Sequence, residues 1–343
     1  MNQLILSAEE GKEIRSIASE LIDRFDSAEE KEFLNNSAVY ARKLPQRVLQ
    51  FLNDFKQLER SDGACLISGY PVNDEVIGAT PSHWRRKRTI SPTLEQEMVL
   101  VLFGAMLGDL IGWSTQQDGH LIHDVIPIRE NEESQLGTGS KTLLWWHTED
   151  AFHPLRGDYL ALMCLRNPDN VPTTFSCVDN TRVSEKHTKV LFESRFYIQP
   201  DESHSETNRG TQHSVALADD LLDSSYAKLA KMVTAPEALP VLFGARDLPY
   251  VRIDPYFMTT NNGDREAEEA LEALVQQIEE NIVEEVLQPG SFLFIDNYRA
   301  VHGRKPFTAR YDGKDRWLKR INITRDLRKS RAQRTYISSR IIY

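Results

Sequence analysis

Cysteine is scarce in this chain: Cys65, Cys164 and Cys177 are the three in 343 residues. They are too few and too scattered for a disulfide framework, and no CxxC pair occurs, so reduced thiols in a cytoplasmic protein are expected. Long apolar runs are missing too. None reaches the roughly 18 residues that a transmembrane helix needs. The opening MNQLILSAEEGKEIR turns charged after a short apolar run and does not read as a secretory signal. Positive charge is in deficit, with 41 Lys and Arg against 51 Asp and Glu, a formal net charge of −10. That balance argues against global attraction to nucleic acid or an anionic membrane and leaves open a local basic patch. Repeats and low-complexity tracts are absent, and nothing in the pattern bears on oligomeric state.

Apolar residues make up 40% of the chain and charged residues 27%, the composition of an ordinary globular protein. The first third reads helical. Ser7 and Glu10 form a capping box ahead of a stripe at Ile14, Ile17, Ala18, Leu21 and Ile22. A second box starts at Ser27, and a further helix is expected near residues 45–55. GACLISGYPV (63–72) reads as a strand. SPTLEQEMVLVLFGAMLGDLIGW (91–113) reads as one buried helix.

From about residue 119 short apolar runs follow one another, HLIHDVIPI, KTLLWWHTE, DYLALMCLR and TTFSCVD, broken by turn residues. VLFG, PYVRID and PGSFLFIDN add strands, with an amphipathic helix at 264–285. Residues 199–220 are polar and read as a lid. The tail with Arg328, Lys329, Arg331, Arg334 and Arg340 reads as a solvated end. One domain is expected: a helical buttress at 1–60, a strand-rich core at 61–330 and a basic tail at 331–343. Helices first and then many short strands suggest a β-sandwich or barrel buttressed by helices.

Within LLWWHTEDAFHP, His147 and Glu149 stand two apart. In an extended strand they would share a face and could converge on a metal. Chance alone supplies about one His-x-acid triplet in a chain of this composition, and a second one, His204-Ser205-Glu206, lies in polar surroundings. His302, after the apolar strand FLFID, offers a distant second imidazole. In DRWLKRINITRD, Arg316, Leu318, Arg320 and Asn322 share one strand face, and Trp317, Ile321 and Ile323 share the other. Two arginines on an inward face would need anionic partners. On an edge strand they would be surface charges, and the pattern leaves both readings open. His120 and His123 flank a strand and read as structural. His153 could support the metal residues, while His83, His187 and His213 have no supporting context. Cys164 and Cys177 read as small core residues.

Together, His147-x-Glu149, His302 and an arginine fourteen residues after it resemble the iron(II)/2-oxoglutarate-dependent dioxygenases. The Glu in the first motif, WWHTEDAFHPLRGDYLALMCLRNPDNVPTTFSCVDN and VHGRKPFTARYDGKDRWLKRINITRDLRKSR are similar to the clavaminate synthase-like group, in particular its bacterial hydroxylases of free arginine and lysine. The resemblance spans roughly residues 60–330. It implies an α+β fold, a double-stranded β-helix (jelly-roll, cupin-like) core buttressed by helices. It also implies iron(II) on His147, Glu149 and His302, with 2-oxoglutarate and dioxygen as cosubstrates.

By the same resemblance Arg316 clamps 2-oxoglutarate with help from Thr174. Arg320 faces the substrate carboxylate, and Gln116, or Gln117 if the register is one off, meets the α-amine with Glu149. Asp254 and Tyr256 close over the side chain. Arginine hydroxylases of the group tend to carry two acids two apart in that last region, whereas this chain has Asp254 and then Tyr256. One carboxylate suits an ammonium better than a forked guanidinium. Lysine is therefore the expected substrate, at C3 or C4. Arginine, citrulline or another long polar amino acid is the alternative, and desaturation is an alternative to hydroxylation. A non-catalytic jelly-roll binding protein and a zinc hydrolase remain as readings from other classes.

Overall fold

The computed structural model describes residues 1–59, 62–85, 90–206 and 219–343. Two sheets stack face to face. The larger runs in the order Asn2–Ile5, Ala64–Ser68, Phe292–Asp296, Tyr159–Arg166, Trp317–Thr324, Asp109–Trp113 and Ile341–Ile342, with Ile122–Val125 also paired to Trp317–Thr324. The smaller runs Val283–Glu285, Thr173–Cys177, Ala300–Arg304 and Leu144–His147, all antiparallel. This is the jelly-roll core of an α+β protein.

The period-two alternation of the strands builds the layers. Leu66, Leu160, Leu162, Leu293 and Leu318 of the large sheet meet Phe175 and Ala300 of the small one in the core between the sheets. Their sequence neighbours Ile67, Ala161, Met163, Phe294 and Trp317 point outward onto helices Ala8–Ile22, Lys31–Tyr40, Gln46–Leu58 and Leu94–Leu107. Burying a Leu or Phe side chain yields about 2–3 kcal/mol, so each face holds its own layer. Helices Glu185–Leu191 and Arg265–Glu280 cover the back of the small sheet. Lys319 points to the helical side, where Glu97 at 2.9 Å and Asp124 at 2.7 Å neutralise it.

The capping box at Ser7 forms as expected. The buttress, however, is not confined to residues 1–60. Asn2–Ile5 joins the large sheet, and Leu94–Leu107 lies at the centre of the helical layer. The apolar run 91–113 breaks at Gly108 into a helix and a strand. A Cβ there would come within 2.2 Å of the Thr324 carbonyl oxygen, so only glycine permits the approach. The 264–285 segment likewise splits into Arg265–Glu280 and strand Val283–Glu285. Residues 207–218 of the expected lid lie outside the described residues, and Asp219–Thr234 is helix.

The basic tail is a solvated end at Arg328, Lys329 and Arg331, which are exposed, but not at Arg334 and Arg340. Arg340 is buried, bonding Asp109 and the Leu34 carbonyl, and Arg334 caps the carbonyls of Leu327, Ile337 and Ser339. Ile341–Ile342 pairs with Gly112–Trp113, and Ser114 N–H donates to the Ile342 carbonyl at 2.9 Å. The tail thereby steadies the turn that carries Gln116.

Candidate active site

Strand pairing brings the two histidines together. His302 sits opposite His147 in the Ala300–Arg304/Leu144–His147 pair, with ring centroids 4.7 Å apart. The strand ends at His147, so Glu149 is not aimed by strand alternation. Its backbone is clamped instead: Asn297 Oδ1 accepts from Glu149 N–H at 2.7 Å, and Asn297 Nδ2 donates to the Glu149 carbonyl at 3.0 Å. Asp150 then takes φ 52°, a left-handed turn that aspartate tolerates better than most residues.

Glu149 Oε2 lies 3.3 Å from His302 Nε2 and 3.8 Å from His147 Nε2, and among the described residues it accepts no hydrogen bond despite being buried. His147 Nδ1 donates to the Trp145 carbonyl at 2.8 Å, which leaves Nε2 as the free ligand atom. Burial works against a charged His147, but Glu149 and Asp254 outweigh it and lift its pKa to about 9. His302 is held below the ordinary value, chiefly by burial. An orphaned carboxylate oxygen facing two imidazole nitrogens, all within 4.8 Å, fits the His₂-carboxylate face that iron(II) takes.

The site opens into a cavity of about 1180 Å³, its mouth included. Arg316 and Arg320 both point into it from the inner face of the large sheet, so the edge-strand reading fails. Arg316 is fully enclosed. Its Nη2 donates to Thr173 Oγ1 at 3.1 Å, its Nε has no partner, and among the described residues no carboxylate pairs with it. Burial holds its pKa down to about 10.

Thr174 is not the residue beside it. Thr173 shares the inner face with Phe175, whereas Thr174 pairs with Gly303 and its hydroxyl lies behind that glycine. Arg304, absent from the sequence expectations, is a second enclosed cation on the cavity wall, held down to about 9 by burial and Arg316.

Arg320 is a hub. Its guanidinium meets Glu149 Oε1 at 2.5 Å, Gln116 Oε1 at 3.1 Å and His123 Nδ1 at 2.9 Å. His123 Nε2–H is committed to the His120 carbonyl, so Nδ1 is the acceptor; burial and Arg320 together keep the ring neutral. His123 thus orients Arg320 and is not a bystander. His120, by contrast, pairs with Glu29 far from the site, and His153 Nδ1 caps its own turn at Leu155 N–H. Gln117 is spent on the Asp124 backbone, which leaves Gln116 as the amide that reaches Arg320. Gln116 Nε2 donates to Ser203 Oγ at 2.7 Å.

Asp254 lines the cavity, accepting from Tyr256 and Phe257 N–H, while Tyr256 is half exposed at its rim. Sequence reasoning missed Asp201 and Ser203, which line the same cavity. Their one local signal was an acid two residues ahead of a serine in a polar stretch.

An iron site between two jelly-roll sheets, with an unpaired arginine beside it, defines a 2-oxoglutarate-dependent dioxygenase. The chain belongs to the family described as taurine catabolism dioxygenase TauD, TfdA family, whose model matches residues 43–322. It is 46% identical to an enduracididine beta-hydroxylase of Streptomyces hygroscopicus over 330 residues, 96% of each chain. It is 42% identical to an L-ornithine/L-arginine 3-hydroxylase of Catenulispora acidiphila over the full length of both. The crystal structure of the non-heme iron oxygenase OrfP with Fe, succinate and (3S)-hydroxy-L-Arg superposes with a TM-score of 0.93 at 42% identity, covering all of both chains. The chain is therefore an enzyme that uses iron and 2-oxoglutarate, and the binding-protein and zinc-hydrolase readings give way. Among the described residues no helix is long and apolar enough to cross a membrane.

Proposed function

We propose that this enzyme hydroxylates a free guanidino amino acid, L-arginine or a close relative of it, at C3. The reading rests on one observation, a pair of carboxylates in the cavity wall. Asp254 is pushed up to about 6, mainly by burial, with His147 pulling it down and the charge of Asp201 adding to the rise. A bound cation would relieve both the burial and the repulsion by Asp201. The lysine expectation rested on Tyr256 standing where a second acid would be, and Asp201, from a distant segment, supplies that acid instead. Two carboxylates match the five N–H donors of a planar guanidinium, whereas a compact ammonium offers three. The relatives named for arginine and for 3- or beta-hydroxylation support the same substrate class and carbon.

When bound at His147, Glu149 and His302, iron(II) with 2-oxoglutarate supplies the oxidising chemistry: dioxygen is consumed, 2-oxoglutarate becomes succinate and carbon dioxide, and one C–H becomes C–OH. The protein's own work is aim. Arg316 offers its free Nε and Nη donors to the distal carboxylate of 2-oxoglutarate, with Thr173 fixing the guanidinium plane. Arg320, oriented by His123, presents its unpartnered Nε to the substrate carboxylate. Gln116 Oε1 and Glu149 receive the α-ammonium, while Asp254 and Asp201 take the guanidinium. Holding both ends leaves one side-chain carbon near the metal. We read the chain as one such domain. Its three cysteines are buried, unpaired thiols, which supports a reducing, cytoplasmic setting.

The test is turnover with iron(II), 2-oxoglutarate and air against L-arginine, L-homoarginine, L-ornithine, L-citrulline and L-lysine. Succinate and products are followed by mass spectrometry. Arginine or homoarginine gaining one oxygen, with matching succinate, supports the reading; preference for lysine over arginine overturns it.

A further inference from the structure

The triplet His204-Ser205-Glu206 looked like a chance copy of the metal motif, yet His204 is 2% exposed. Its ring meets Phe152 and Trp113 edge-on, at 5.0 and 5.8 Å. Nε2 lies 3.1 Å from Asp150 Oδ1, and Nδ1 lies 2.9 Å from Thr115 Oγ1. These two partners immediately neighbour Glu149 and Gln116. Asp150 is itself immobilised, since Oδ2 accepts from Trp113 Nε1 at 2.6 Å and from Asn322 Nδ2 at 3.2 Å. With both of its carboxylate oxygens occupied, the Asp150–Asp201–His204 cluster is a hydrogen-bonded knot and not a second metal site.

The turn that His204 closes carries two cavity residues. Asp201 Oδ1 accepts from Ser203 N–H at 2.7 Å, and Ser203 Oγ accepts from Gln116 Nε2 at 2.7 Å. One buried imidazole therefore joins three segments: the Gln116 turn, the Glu149 loop and the 201–204 turn.

We propose that His204 is a positioning residue for amino-acid binding: it docks the 201–204 turn onto Asp150 and Thr115 and so sets Asp201 and Ser203 against the substrate. This rests on the reading that Asp201 faces the substrate's cationic end. A side chain that merely filled space would, on removal, weaken every function together. A docking side chain would affect the amino acid alone, because among the described residues neither Arg316 nor Thr173, which face 2-oxoglutarate, hydrogen-bonds to the turn. A loosely held substrate also lets 2-oxoglutarate be consumed without hydroxylation.

The experiment compares His204→Ala, His204→Gln and Thr115→Val with wild type on the amino acid that wild type turns over best. It measures both KM values and the ratio of succinate to hydroxylated product. In His204→Ala the amino-acid KM should rise about ten- to hundredfold and succinate should outrun product, while the 2-oxoglutarate KM stays within about twofold. His204→Gln, which can still donate to Asp150, should recover part of the loss. Unchanged amino-acid KM and coupling in folded His204→Ala overturn the proposal, as does an equal loss in both KM values. If His204→Ala does not fold, Thr115→Val decides: a raised amino-acid KM alone supports docking, and an unchanged one refutes it. Should wild type prefer an uncharged amino acid, the guanidino reading fails, and the same ratios still judge the docking.

Discussion

Replacing Arg316 by methionine separates two effects that usually run together. The residue is fully enclosed, and among the described residues its Nε is unpartnered and its one hydrogen bond goes to Thr173. Burial lowers its pKa from 12.5 to about 10. At about 1.4 kcal/mol per tenfold change, the ligand-free enzyme carries roughly 3 kcal/mol of uncompensated charge. Methionine keeps the stem's packing and removes that cost, at the loss of one hydrogen bond of about 1 kcal/mol. The ligand-free variant should therefore melt at the same temperature as wild type or a few degrees above it, at about 2 °C per kcal/mol for a chain of this size. Binding should move the other way. Removing one partner of a buried, hydrogen-bonded charge pair costs about 2–5 kcal/mol, so the KM for 2-oxoglutarate should rise about thirtyfold to a few thousandfold. Thermal melts with and without 2-oxoglutarate, together with succinate kinetics, read both. A ligand-free variant melting well below wild type, or a KM for 2-oxoglutarate within threefold of it, refutes the argument that Arg316 is a charge waiting for a dianion.

Thr173→Val should raise the KM for 2-oxoglutarate severalfold and Thr174→Val should not; the reverse result would restore the original register. Asp254→Asn should lose the cationic substrate while binding of iron and 2-oxoglutarate persists, measured by titration of each. In wild type the Asp254 charge is present above about pH 6 and lost below it. The amino-acid KM should therefore climb as pH falls through 6, and a flat profile would remove Asp254 from the site. Burial also lifts Asp296 to about 7. The folded state thus prefers the neutral acid, and its ionised form costs stability above pH 7, a cost that vanishes as pH falls towards 4. Asp296→Asn, which can still accept from Tyr298 N–H, should be more stable than wild type at pH 8 by up to roughly 4 kcal/mol and should converge with it near pH 4. Urea midpoints at the two values check the sign.

Some of this was legible because it is local. The alternation through 316–323 placed Arg316 and Arg320 together on one face. The strand runs from Leu144 onward were bounded by turn residues and formed where expected. Other features had no local signal. The 91–113 run is apolar on all sides, so periodicity could not separate the buried helix from the strand that follows Gly108. Thr173 and Thr174 differ by one position, and a slip of one reverses a strand residue's face. Arg340 read as surface charge because its partners, Asp109 and the Leu34 carbonyl, lie hundreds of positions away in the chain.

The sequence by itself determined the class of chemistry: the ligand types, their order along the chain and an arginine at a strand position facing the same way as its neighbours. Only the tertiary structure decided which side chains meet in the cavity. Asp201 joins Asp254, His123 turns Arg320, Thr173 takes the place of Thr174, and His204 ties the turn that carries Asp201 and Ser203 to the iron loop. These contacts link residues tens to hundreds of positions apart. Strand and helix periods describe only near neighbours, so no pattern along the chain encodes such contacts, and sheet packing creates them.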